Sequence, residues 1–406
     1  MIIKDVLIIG GGAAGFFTAI NLATQRPDLS IAILERGKEV LTKVRISGGG
    51  RCNVTHAEFI PNELTLNYPR GEKELLGPFH SFMTGDTIAW FADRGVELKI
   101  EEDGRMFPTT DSSQTIIDCF ISETKRLGIE VLTNHAVQKM ERDSDTNQWM
   151  LETSQGPFQT SQLVIATGSN PKIWKLLAQF EHTITPAVPS LFTFNIKDKR
   201  IDGLMGLSTE AAVKVVGTPL ESEGPLLITH WGMSGPGILK LSAWGARLLE
   251  KTKYHFEIRV NWLLHTTTEE AMSELLTLKH NFAKQSPHTY AQMDLPKRLW
   301  QSLLTAANIP EGSKWADLKK EQISKLAEEL TNGSFRVSGK STFKEEFVTA
   351  GGIDLKEVNF KRFESKLHPS LYFAGEVLNI DAITGGFNFQ NAWTGGYLVA
   401  EAIASS

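Results

Sequence analysis

Cysteine is scarce in this 406-residue chain, which has only Cys52 and Cys119. Two thiols so far apart in sequence cannot supply a disulfide framework, a four-thiolate zinc site or a short-spaced redox pair, so a reducing, cytoplasmic setting is expected and no metal site is. Long apolar runs are missing too. No stretch of about 18 apolar residues occurs, which argues against a membrane-spanning helix. Asp5 and Gly10-Gly11-Gly12 break the apolar N-terminus where a secretory signal would need continuity. Nor is there an excess of one charge. Forty-two Lys and Arg against 47 Asp and Glu leave −5, which gives no global basic field to gather nucleic acid. There is no internal repeat and no low-complexity tract. What remains is an ordinary globular composition, 41% hydrophobic and 22% charged, long enough for two or three domains at roughly 150 residues each.

The first 35 residues read strand, helix, strand. Val6-Leu7-Ile8-Ile9 is a continuous apolar run suited to a parallel strand buried on both faces. Phe16, Ile20 and Ala23 then recur at helical spacing, and Ile31-Ala32-Ile33-Leu34 makes a second buried strand. Together they predict a right-handed βαβ unit. Helices follow over 84–125, with Ser112 or Ser113 as a cap and Gly128 as a stop. Short strands are expected at 129–132, 136–140, 148–151 and 163–166. Past Pro186 and Pro189 the chain turns β-rich, with one helix over 237–250. Residues 266–330 read as helical, capped by Thr268. Leu371 to Ala374 is another buried strand, and 385–403 a closing helix. The expected domains are 1–189 with 344–406, a β-rich lobe of 190–264 with 331–343, and a helical insert of 265–330.

Gly10-Gly11-Gly12-Ala13-Ala14-Gly15 matches G-x-G-x-x-G. It follows a predicted strand, opens a predicted helix, and is answered by Glu35 at the end of the second strand, 20 residues beyond Gly15. Gly10 permits the tight turn, Gly12 lets a diphosphate approach the backbone, and Gly15 lets helix and strand pack. The amides of Ala13 and Ala14 sit at the positive end of the helix. Glu35, with Arg36 beside it, is placed to accept hydrogen bonds from a ribose and would repel a 2′-phosphate. The fingerprint alone does not separate FAD from NAD.

Three later segments bear on that choice. Lys43 to Asn53 combines cations with Ser47-Gly48-Gly49-Gly50, a second ligand-facing loop whose cations suit a pyrophosphate and whose amides and Asn53 suit a ribityl chain or flavin ring. Gly375 and Glu376 end a buried strand, and Gly386-Phe387-Asn388 opens the last helix, so that a carboxylate and a helix N-terminus can face one ligand.

With Thr229-His230-Trp231-Gly232-Met233-Ser234-Gly235-Pro236 added, these segments resemble a bacterial family of NAD(P)/FAD-dependent oxidoreductases. It holds aminoacetone-oxidase-like and BaiN-like (bile-acid-inducible) flavoproteins of the two-dinucleotide type, and the resemblance spans nearly the whole chain. It implies an α/β architecture: a Rossmann-like, glutathione-reductase-like FAD domain built from both chain ends, with a β-barrel-like domain and a small helical domain inserted. It places FAD contacts on Gly10, Gly12, Ala13, Ala14, Gly15, Glu35, Arg36, Lys43, Ser47, Gly48, Gly49, Arg51, Cys52, Asn53, the backbone near Val137, Ala166-Thr167-Gly168, Gly375, Glu376 and Gly386 to Asn388. Gly168 runs directly into Ser169-Asn170-Pro171 where many members carry more glycine, and Ala382 stands where glycine is usual, so no ligand role is carried to Ala382.

The resemblance implies an FAD-dependent oxidoreductase exchanging hydride with a small-molecule substrate. No second glycine fingerprint is present, which leaves NAD(P)H as a transient reductant without a motif of its own. His230, in a Gly- and Pro-rich turn ahead of a helix, is the candidate for proton transfer or substrate orientation. Cys52 reads as a small residue filling a tight loop rather than a reactive thiol. A flavin-dependent RNA-modifying or RNA-binding protein and a non-catalytic FAD-binding protein stay open as alternatives, though no nucleic-acid or membrane partner is expected.

Overall fold

Four apolar residues in a row leave a strand no solvent face, and in the computed structural model, which describes residues 1–341 and 348–406, Val6 to Ile9 are all buried. They end strand β1 (Ile2–Ile9) at the centre of a mainly parallel sheet. Helix α1 (Ala13–Gln25) crosses over to β2 (Ile31–Leu34), which pairs parallel with β1 from Val6↔Ile31 to Ile9↔Leu34.

The chain divides into two compact units, Met1–Val188 with Lys344–Ser406, and Pro189–Phe343. The boundary expected between 343 and 344 lies outside the described residues. In the first unit, after a short helix α2 (Thr42–Gly50), a small sheet forms from β3 (Thr55–His56), β4 (Leu98–Ile100) and β5 (Arg105–Pro108). The main sheet then gains β6 (Glu130–Leu132), a hairpin of β7 (Val137–Arg142) with β8 (Trp149–Thr153), and β9 (Gly156–Ile165). Its last parallel member, Leu371–Phe373, comes from the far end of the chain and pairs with Leu163–Ile165 of β9.

β9 starts seven residues before the strand expected at 163. Residues 156–160 pair antiparallel with β8, residues 158–165 run parallel to β1, and only Leu163 to Ile165 form a wholly apolar, buried run. Only those three carry the signature of a strand covered on both faces.

Two glycines set how closely these layers approach. Gly10 has φ +115°, and a Cβ there would lie 2.3 Å from the Ala166 carbonyl oxygen. A Cβ on Gly15 would lie 2.1 Å from the Gly10 carbonyl oxygen. β1, α1 and β9 therefore meet backbone to backbone at one point. The C-terminal helix (Phe387–Ala404) lies against α1, where Gly396 faces the Ala14 carbonyl.

The second unit is built on a closed six-stranded antiparallel barrel: Thr193–Ile196, Gly232–Ser234, Glu221–Ile228, Ser208–Val215, His255–Asn261 and Gly333–Ser341. Closure removes the sheet edges that would otherwise invite pairing with other chains. Helices Thr268–Asn281, Lys297–Ala306 and Lys320–Thr331 share one apolar core with the barrel, in which Phe194, Val213 and Ile258 are continuous with Trp300, Leu303 and Leu326. Thr267, rather than Thr268, caps the first of these helices, in a reciprocal box with Glu270. Among the described residues no helix is long and apolar enough to cross a membrane.

Candidate functional site

The opening turn of α1 is the anchor of the site. Gly12 is its N-cap with φ −97° and ψ −170°; among the described residues no side chain caps it, and a Cβ built on Gly12 would meet nothing within 4 Å. The first-turn amides, Ala13, Ala14 and Gly15 among them, have no intrahelical acceptor, and they lie at the positive end of the helix.

Glu35 is held beside this turn. Its Oε2 accepts from the Gly11 amide at 2.9 Å and its Oε1 from the Gly37 amide at 2.7 Å, while the Leu41 amide donates to the Gly11 carbonyl at 2.8 Å. The carboxylate thus braces the glycine turn, and with about four lone-pair sites it retains acceptor capacity. Arg36 is exposed. The His135 amide donates to the Glu35 carbonyl, which brings the chain leading into Val137 alongside.

Of residues 43–53, expected as a loop, those up to Gly50 belong to α2, which carries a break. Ser47 leaves the helix at ψ 148°, and Gly48 and Gly49 follow in left-handed conformation. Cβ atoms on Gly49 and Gly50 would meet nothing within 4 Å among the described residues, so this backbone presents an open face to them. Lys43 Nζ donates to Glu376 Oε2 at 2.5 Å, joining positions 333 residues apart. Gly168 lies next to that carboxylate, and Gly375 lies against Ala14. Ala166 backs Gly10, and Thr167 continues from it. The two chain ends therefore converge on the α1 turn.

A second cluster lies around the start of the C-terminal helix. Asn53 is 9% exposed, its Oδ1 has no hydrogen-bond partner among the described residues, and a Cβ on Gly386 would come within 2.9 Å of that oxygen. Gly386, at φ +98°, packs its backbone on Thr55.

Four of the expected contacts are already engaged within the protein. The Arg51 guanidinium lies 3.9 Å from the Phe107 ring centroid and donates to Glu101 at 2.5 Å, which fastens the loop to the β4–β5 hairpin. Asn388 is committed to Ala382 on both sides of its amide, accepting from the nitrogen at 3.0 Å and donating to the oxygen at 3.2 Å. Phe387 is 2% exposed and stacks on His56. Cys52 is fully buried at φ +60°, and loss of hydration pushes its thiol up to about 12. It is a loop-filling residue, not a nucleophile.

His230 belongs to the other unit. It sits in the turn between Glu221–Ile228 and Gly232–Ser234, exposed, next to Trp231 at 57% exposure. Its ring has no hydrogen-bond partner among the described residues.

The match to known proteins covers this whole arrangement. The family model described as HI0933-like protein Rossmann domain matches residues 4–402. The chain belongs to that family. A ribosomal RNA dihydrouridine synthase of Haemophilus influenzae is 28% identical over 414 residues, covering 99% of this chain and 98% of the relative. A 3-dehydro-bile acid delta(4,6)-reductase of Clostridium scindens is 26% identical over 412 residues, covering 98% of each. Among solved structures, the 3-ketosteroid-delta4-(5alpha)-dehydrogenase of Rhodococcus jostii RHA1 superposes with a TM-score of 0.53 at 14% identity, covering 100% of this chain and 97% of that one. That likeness carries the fold. The chain is an FAD-dependent oxidoreductase with a Rossmann-type FAD-binding domain.

Sequence reasoning missed the frame that holds the second cluster. The Tyr68 hydroxyl donates to the Phe387 carbonyl at 2.6 Å, and the Trp393 indole donates to the Val54 carbonyl at 2.9 Å. Gln390 Oε1 accepts from Thr55 and Thr87, at 2.6 and 3.0 Å. Arg70 forms a two-pronged ion pair with the fully buried Asp381. Each of these bonds links residues more than 300 positions apart, with no local pattern to announce them.

Proposed function

We propose that this enzyme passes hydride between FAD and a small molecule bearing a carbon–carbon double bond conjugated to a carbonyl. The observation that carries this reading is the agreement of two near-full-length relatives. Their names, a dihydrouridine synthase and a 3-dehydro-bile acid delta(4,6)-reductase, both denote saturation of a ring double bond conjugated to a carbonyl.

The residues present fit FAD. The open amides at Gly12 to Gly15 suit the diphosphate, and Glu35 the adenosine ribose. Lys43, Glu376, Gly168 and Gly375 would hold the ribityl region, while Gly48 and Gly49, the Asn53 side chain and the Gly386 backbone would meet the ring. The buried Oδ1 of Asn53 without a partner and the unfilled space above Gly12 are the two features that ask for a ligand, since unpaired buried acceptors are uncommon. When bound, the flavin supplies the two-electron chemistry, and the chain orients it and sets its electrostatics. The C-terminal helix N-terminus favours negative charge at the ring. Arg51 and Asn388 act indirectly, by fixing the loop and the helix start. His230 is assigned to orienting the substrate, and His230→Gln should raise KM. Unchanged kinetics with a true substrate remove that role.

A second reading, reduction of uridine within RNA, is favoured by the name of the Haemophilus influenzae relative. A net charge of −5 weighs against it. The test is anaerobic. FAD-loaded protein is photoreduced, mixed with a cyclic enone, a 3-keto-Δ4-steroid, uridine or ribosomal RNA, and followed at the flavin band. Reoxidation by small enones supports the proposal, reoxidation by RNA alone moves the assignment to the second reading, and no reoxidation by any of the four overturns both. NADH and NADPH are tested separately as reductants.

A further inference from the structure

Saturating a conjugated double bond needs more than hydride. The hydride, supplied by reduced flavin, brings two electrons and one proton to the β carbon. The displaced π pair collects at the α carbon and the carbonyl oxygen, and a second proton must reach it from an acid. His56, which the sequence did not single out, is built for that delivery.

His56 ends β3, three residues after Asn53, and is half-buried. Its ring stacks on Phe387 with centroids 4.5 Å apart at 26°. Its Nδ1 lies 3.1 Å from the Gly385 carbonyl oxygen. A carbonyl only accepts, so Nδ1 carries the hydrogen and donates. In the neutral ring this leaves the lone pair on Nε2, which has no hydrogen-bond partner among the described residues. Gly104 borders that nitrogen, and a Cβ there would come within 2.6 Å of it. A side chain at 104 would cover the one nitrogen left to exchange protons. Phe59 and Ile60, further along the same segment, are 51% and 57% exposed. The charged groups nearest it in the sheet are Arg105, its cross-strand partner, with that residue's partners Asp103 and Glu101, and Glu58.

We propose that His56 is the acid that donates the second proton to the α carbon. The Nε2–H bond breaks as the C–H bond forms, the imidazolium becomes neutral imidazole, and solvent restores the proton. Nδ1 stays bonded to Gly385 throughout, which keeps the ring aimed. An external two-electron donor of the nicotinamide class re-reduces the flavin. This assignment rests on the reading that the flavin ring lies against Asn53 and Gly385–Gly386.

The test begins with wild-type protein and needs no turnover. Diethyl pyrocarbonate followed by peptide mass spectrometry should modify His56 in the apoprotein, and FAD should suppress that modification at least tenfold. Equal modification with and without bound FAD overturns the proposal. Failure of the wild type to bind FAD at all, seen by absorbance, instead overturns the reading of the site. In FAD-loaded His56→Gln the amide can still donate to Gly385, so the FAD Kd should stay within about threefold while enone reduction falls about 10²-fold or more. In His56→Ala added imidazole should recover at least tenfold of the loss, which a merely structural role would not allow. A His56→Gln rate within threefold of wild type overturns the proposal.

Discussion

Gly12→Ala separates the fold of the glycine turn from its use. Gly12 has φ −97°, which alanine adopts freely, and its Cβ would meet nothing within 4 Å. Two small terms then act on the apoprotein. Loss of glycine's freedom in the unfolded chain stabilises by about 0.4–1 kcal/mol, and alanine is a poorer N-cap than glycine by a similar amount. They nearly cancel, so apoprotein stability should change by less than about 1 kcal/mol. The new methyl group nonetheless occupies the space through which a diphosphate reaches the first-turn amides. Displacing it forfeits at least one charge-assisted hydrogen bond, about 1.5–3 kcal/mol, so the FAD Kd should rise about 10- to 150-fold. Gly15→Ala is the opposite control. Its Cβ would lie 2.1 Å from the Gly10 carbonyl oxygen, and overpacking of that kind costs about 1–3 kcal/mol before any ligand is added. Urea unfolding of the apoproteins, paired with titration of FAD by calorimetry, measures both quantities. A Gly12→Ala variant that binds FAD as tightly as the wild type would refute the placement of the diphosphate at this turn.

Three other outcomes are expected. Native Cys52, buried with its thiol pushed up to about 12, should resist iodoacetamide at pH 8 while the unfolded protein reacts, and Cys52→Ala should keep bound flavin and turnover; rapid native alkylation contradicts this. Asp381→Asn should destabilise the first unit by about 3–5 kcal/mol in urea unfolding, because it strands Arg70 opposite a neutral group at a site where Asp381 is fully buried; a change below 1 kcal/mol would show that the pair is dispensable. His182 should make the protein acid-sensitive. Burial, opposed by the hydrogen bond to Glu357, pulls its pKa below the usual value. Its Nε2 accepts from the Ser365 hydroxyl, whose oxygen already takes the Leu367 and His368 amides. The folded state therefore binds fewer protons than the unfolded one below about pH 6.5, and stability should fall as pH drops through that value, by up to about 1.4 kcal/mol per pH unit. His182→Gln should flatten that limb, and an unchanged slope would exclude His182 as its source.

Local pattern made part of this molecule legible. The βαβ start, the glycine fingerprint, Glu35 and the buried Leu371–Phe373 strand each announce themselves within a few residues, because burial on both faces and a tight turn constrain adjacent positions. The break at Ser47 was hidden because Thr42 to Ile46 is too short for helical periodicity to show. The first part of β9 was hidden because its mixed, largely polar residues 156–162 lack the apolar run that marks Leu163 to Ile165. Asn388 and Arg51 were recognisable as special but not as clasps, since their partners Ala382 and Glu101 carry no distinguishing signal. The Arg70–Asp381 pair and the Tyr68 bond to Phe387 join sites more than 300 residues apart, and nothing in one sequence links such positions.

The pairing of Leu371–Phe373 with β9 has a consequence for synthesis at the ribosome. Roughly two hundred residues separate the two strands, so at about 5–20 residues per second the rim of β9 waits some 10–40 s for its neighbour. During that interval the C-terminal helix is also unmade, and the face of α1 that it covers is bare. The nascent first unit is thus obliged to persist with an unpaired border and an uncovered flank while an entire barrel is being translated.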